Sequence, residues 1–97
     1  MIRHICMFKL KEENKEANLK EALARVEMLR GIEQIQRFEV VVNDSEAPES
    51  NYEISLIFDF KNMDDLMTYQ KDERHTAFGD FIKQVRESRA CIDYRFS

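Results

Sequence analysis

Only two glycines and one proline punctuate the 97 residues, and tryptophan is missing altogether. A phosphate-cradling loop or a nucleophile elbow needs closely spaced glycines, and neither occurs, nor does an H-E-x-x-H helix. Nucleotide-dependent and hydrolytic chemistries therefore have no basis in this chain. Cysteine is as scarce: Cys6 and Cys91 are too few for a secreted disulfide framework and form no C-x-x-C pair. They are expected to be buried, reduced thiols. No apolar run approaches the roughly 18 to 20 residues that span a bilayer, and the N-terminus lacks a signal-peptide pattern. A cytoplasmic location and no membrane partner follow as expectations. Nor is there an excess of basic charge: 15 Lys and Arg stand against 19 Asp and Glu, giving a net charge of −4. The two signs are interleaved, as in "KLKEENKE", where a nucleic-acid partner would want a one-signed basic face.

What is present suits one compact domain over residues 1–97: apolar residues at 43%, aromatics at 10%, and charge spread along the chain. "IRHICMFKL" sets Ile2, His4, Cys6 and Phe8 on one face of a strand and Ile5 and Met7 on the other. Both faces are apolar near the middle, which predicts a central strand covered on both sides. In "NKEANLKEALARVEMLRG", Leu19, Leu23, Val26 and Leu29 recur at helical spacing, with Asn14 as the cap and Gly31 as the left-handed stop. "IQRFEVVVND" and "NYEISLIFDF" alternate as strands on either side of an exposed loop that holds Pro48.

Asn62 starts a short helix in "NMDDLMTYQ", with Asp65 in the acidic position of a capping box. After a bend at "KDER", a second piece through "HTAFGDFIKQVRES" carries Phe78, Ile82 and Val85 as one stripe, to which His75 belongs. "CIDYRF" closes the chain as a strand. The order β-α-β-β-α-β is the ferredoxin-like split-βαβ signature, an α+β fold whose four-stranded antiparallel sheet carries helices on one face. The other face would expose Ile5, Met7 and Ile57 to water, and patches of that kind mark association sites. A two-fold homodimer packed through the open sheet face is the expected assembly.

Taken together, "IRHICMFKLK", "GIEQIQRFEV", "YQKDERH" and "DYRF" resemble the stress-responsive α/β-barrel (Dabb) domain family over nearly the whole chain. The resemblance implies a dimeric α/β barrel. Most members have no assigned biochemical role, some plant members are tied to stress tolerance, and one is a polyketide cyclase that performs an aldol condensation without a cofactor. His4, Tyr69 and His75 stand at positions matching side chains of that cyclase, whereas two further positions fall near Arg25 and Ile54. Asp72 and Glu73 occupy places where many members have a His-Pro pair.

His4 and His75 are the sharpest candidates for chemistry, since an imidazole with a pKa near 6.5 serves as acid or base at neutral pH. A neutral His4 could take a proton from a carbon acid while His75 or the Tyr69 hydroxyl held the developing enolate oxygen. The plainer alternative is that each histidine fills core volume and Tyr69 packs on the sheet with its hydroxyl at the rim. His4, Cys6 and Cys91 make a thin metal-ligand set, and Phe8, Phe58 and Phe60 lack the basic open sheet that base stacking requires. Two functions stay open. The first is a dimeric stress-response or binding module that takes a hydrophobic small molecule and has no cofactor. The second is a cofactor-free cyclase, isomerase or monooxygenase acting on an aromatic or polyketide-like substrate.

Overall fold

The computed structural model describes residues 1–97, and its elements run β1 (Ile2–Leu10), α1 (Lys15–Val26), β2 (Arg37–Val42), β3 (Ile54–Phe60), α2 (Met63–Lys71), α3 (Glu73–Val85) and β4 (Arg86–Arg95). The sheet order is β2-β3-β1-β4, every pair antiparallel, so the first and last strands are neighbours. This is the ferredoxin-like βαββαβ arrangement that the sequence pattern predicts. Strict alternation along β1 turns Ile2, His4, Cys6, Phe8 and Leu10 to the helices, where all five are buried. There they join Ile54, Leu56, Phe58 and Phe60 of β3 and the inner faces of the helices in one core.

Helix ends differ from the sequence expectation in two places. Asn14, not Gly31, is the left-handed residue, at φ 56°, and its side chain makes no cap bond. Asparagine tolerates that conformation better than other non-glycine residues. Gly31 keeps a negative φ because the helix does not stop abruptly. It tightens into a 3₁₀ turn at Glu27–Leu29 and continues through bonds from the Ile32 N–H to the Leu29 carbonyl (3.0 Å) and from the Ile35 N–H to the Ile32 carbonyl (3.1 Å). Three residues per turn keeps Val26, Leu29 and Ile32 in line on the core, where all three are buried.

Asn62 caps α2 as expected, its Oδ1 accepting from the Asp65 N–H at 2.9 Å. A single residue, Asp72, separates α2 from α3 and caps the latter by accepting from the Arg74 N–H at 2.8 Å. The last strand begins at Arg86, five residues before the expected Cys91, and takes in "RES" from the end of the expected helix together with the "RA" that follows it. All of those residues but Ala90 are polar, yet Leu10 to Met7 offer them an unpaired edge with a register shift at Lys9/Leu10, and pairing overrides local preference.

The face without helices carries rows across the sheet. Glu39, Ile57, Ile5 and Ile92 form one row, and Val41, Ser55, Met7 and Ala90 the next. Arg3 and Asp59 bound them with a bidentate ion pair at 2.8 and 3.0 Å, the arginine also lying 4.3 Å over the Phe96 ring.

Candidate functional site

Between the helix-side face of the sheet and the α2–α3 pair lies a cavity of about 250 Å³. Its floor is β1, through His4, Cys6 and Phe8, and its wall is Tyr69 of α2 with His75 and Phe78 of α3. The sheet period of two and the helix period of 3.6 converge there, so all three candidate residues named from the sequence share one space.

His4 is 5% exposed and sits opposite Asp93 of β4 in the strand register. Its Nδ1 lies 2.5 Å from Asp93 Oδ1. A carboxylate oxygen accepts, so Nδ1 is the donor, and whenever the ring is neutral Nε2 is the nitrogen left free. Sequence reasoning missed Asp93. The signal was there in "HIC" near the start and "CID" near the end, two segments that pair antiparallel residue for residue once Cys6 is set opposite Cys91.

Tyr69, 1% exposed, stands between the imidazoles, its ring centre 6.1 Å from that of His4 and 4.8 Å from that of His75, with Phe58 and Phe60 on its other sides. Burial pushes its phenol pKa up, so the hydroxyl keeps its proton and acts as a donor. The two histidines thus border the same cavity with a tyrosine between them.

His75 is half-buried, and desolvation lowers its pKa. The Gln70 backbone pulls it back up, His4 and Arg89 push it further down, and Asp72 raises it. The net effect favours a neutral ring at physiological pH.

Cys6 and Cys91, expected to be reduced thiols, are joined in a disulfide across β1 and β4. The cause is topological: the sheet order makes these strands neighbours, and the register sets the two residues directly opposite. A guanidinium nitrogen of Arg89 lies 2.8 Å from Cys91 Sγ and 3.7 Å from Cys6 Sγ. With the sulfurs bonded to each other, His4, Cys6 and Cys91 offer no thiolate ligands, and no three His, Cys, Asp or Glu side chains converge as a metal would need.

The family model of the stress responsive A/B barrel domain matches residues 2–96. Among solved structures, a dimeric protein of unknown function with a ferredoxin-like fold from Bacteroides fragilis is 33% identical, with a TM-score of 0.85 over 98% of this chain and 95% of that one. A Dabb family protein with a ferredoxin-like fold from Mesorhizobium loti is 24% identical, with a TM-score of 0.82 over 99% and 96%. A hydroxynitrile lyase from Passiflora edulis shares the fold at 14% identity, with a TM-score of 0.82 over 99% and 93%. No curated protein sequence matches the chain.

Proposed function

The chain belongs to the stress responsive A/B barrel domain family, and from that premise we propose that it is a homodimeric small-molecule-binding protein whose two cavities each take one mainly apolar ligand. The observation that carries this reading is the cavity itself: a partly open space with apolar walls into which His4, Tyr69 and His75 bring polar groups. Pockets with an apolar lining and a few convergent polar groups are the usual form of a ligand site. The dimer is supported by the apolar rows of the outer sheet face and by the dimeric state of the Bacteroides fragilis relative. No helix is long and apolar enough to cross a membrane. The reading places the protein in the cytoplasm, where the thiol pool would hold the Cys6–Cys91 bond open.

The test is a thermal-shift screen of wild type, His4→Ala and His75→Ala against aromatic acids and polyketide fragments. A ligand at about 100 times its Kd adds about 2.7 kcal/mol of stability, roughly 10 °C or more for a domain of this size. A shift of that kind in wild type, absent from both variants while their unliganded folds persist, is the expected result. Silence across the panel, with both variants simply melting earlier, would reduce the two histidines to core residues.

A second reading, cofactor-free acid–base catalysis, is favoured by the His4–Asp93 hydrogen bond. Asp93 fixes the tautomer that leaves His4 Nε2 free to take a proton from a carbon acid, and the Tyr69 hydroxyl is a donor for the enolate oxygen that forms. Solvent deuterium would then enter the acidic carbon of a bound 1,3-dicarbonyl probe, with loss in both His4→Ala and Asp93→Ala. Binding without exchange leaves the first reading and removes this one.

A further inference from the structure

The cavity is closed by charge of one sign. Lys83 at the end of α3 and Arg86 and Arg89 at the start of β4 all line it. None of the three lies within ion-pair distance of a carboxylate, although Arg3, Arg25, Arg30, Arg37 and Arg74 elsewhere in the chain are all so paired. Arg89 rests its guanidinium on the Cys91 sulfur, a weak acceptor that leaves its charge uncompensated. Of the two carboxylates near the cavity histidines, Asp93 is occupied by His4 and Asp72 by Arg74. In a chain with a net charge of −4, three such cations at one opening form a local reversal of sign.

A second observation comes from α3. Gly79 lines the cavity in the middle of that helix, and a Cβ built there would meet nothing within 4 Å. Its φ is negative, so no backbone conformation requires glycine. In a helix interior glycine is about 1 kcal/mol less favourable than alanine. What the missing side chain does provide is open volume on the cavity wall, next to the cationic rim.

We propose that this site selects an anionic amphiphile, specifically a carboxylic acid with a body about the size of one substituted benzene ring, whose carboxylate meets Arg86 and Arg89 while its apolar body lies along Gly79, Phe78 and Phe8. This rests on the reading of the cavity as a ligand site and adds the chemical class of the ligand. A guanidinium is suited to carboxylates by its planar pair of donors, and a charge-assisted bond is roughly twice as strong as a neutral one. At about 250 Å³ the cavity falls just below the range of about 300–1,000 Å³ that holds drug-sized ligands, which sets the limit of a single ring. The same positive field acts on His75, which both His4 and Arg89 disfavour in its charged form.

The experiment is calorimetric titration of the full chain with 4-propylbenzoate and with 4-propylbenzamide, a neutral molecule of nearly the same shape. Wild type is expected to prefer the benzoate by about tenfold or more. In the Arg86→Gln/Arg89→Gln double variant the ratio should fall towards one. Gly79→Leu fills the open volume and should abolish binding of both probes, while Gly79→Ala keeps binding and melts higher than wild type, which controls for the fold. Equal affinity for the two probes, with both lost in Gly79→Leu, would overturn the carboxylate assignment and leave the cavity as a ligand site. A benzoate preference that survives in the double variant would overturn the role of the two arginines. Failure of wild type to bind either probe would count against both the carboxylate assignment and the ligand site.

Discussion

Desolvation at the cavity wall holds the His75 pKa below its ordinary 6.5, and this outweighs the opposing pull of the Gln70 backbone and Asp72. Because the folded chain holds this proton less tightly, the unfolded chain binds more protons as the pH drops through 6.5. The stability tied to a neutral His75 is therefore complete above about pH 6.5 and is lost as pH falls towards the folded value. Acidification from about pH 7.5 to about 5.5 should lower the wild-type melting temperature by more than it lowers that of His75→Gln, in which the group does not titrate. Melting curves at the two pH values for both proteins decide it, and equal slopes would show that His75 is not shielded from water in the folded chain. His4 and His75 were legible in the sequence because each falls on an apolar face, and facing follows from period, whereas Tyr69 was legible through the family resemblance. Asp93 was not legible in either way. On an edge strand it reads as one more exposed acid, and only the pairing of β1 with β4 gives it His4 as a partner.

At the scale of elements, the helix ends show where local pattern loses to packing. Had Gly31 been a left-handed stop, alanine there would be strained. With a negative φ, and with only the movable tip of Arg74 at 3.3 Å from a new Cβ, Gly31→Ala should instead stabilise the protein by about 0.4–1 kcal/mol. Asn14→Ala should do the reverse, costing up to about 1 kcal/mol, because alanine adopts φ 56° less readily than asparagine. Chemical denaturation of the two variants checks both signs at once, and a loss of stability in Gly31→Ala would return the stop to that residue. The expected strand over Ile2–Leu10 and the cap at Asn62 hold because alternation and capping act within a few residues. The early start of β4 was hidden because "RESRA" has no apolar period of its own. It becomes strand only because β1 presents a free edge beside it.

On the scale of the whole molecule, two features act far from the residues that make them. Wherever the surroundings are oxidising enough to keep it formed, the Cys6–Cys91 bond closes a loop between residues 85 apart and so ties the last strand to the first. On the chain-entropy account a loop of that length is worth about 4.5 kcal/mol against the unfolded state. The outer sheet face is the second feature. Ile92, 59% exposed, continues the row of Ile5 and Ile57 towards the edge of the sheet, and the Arg3–Asp59 ion pair flanks it. In a two-fold interface each such residue counts twice, and fully burying an isoleucine contributes about 1.5–3 kcal/mol. A carboxylate in its place would have to give up its hydration without a partner, twice over. Ile92→Glu should therefore sediment as a monomer at concentrations where wild type sediments as a dimer, with its far-ultraviolet circular dichroism unchanged, since the side chain points away from the helices. A variant that stays dimeric would move the interface to another face, and a wild type that sediments as a monomer would leave the apolar rows to some other partner.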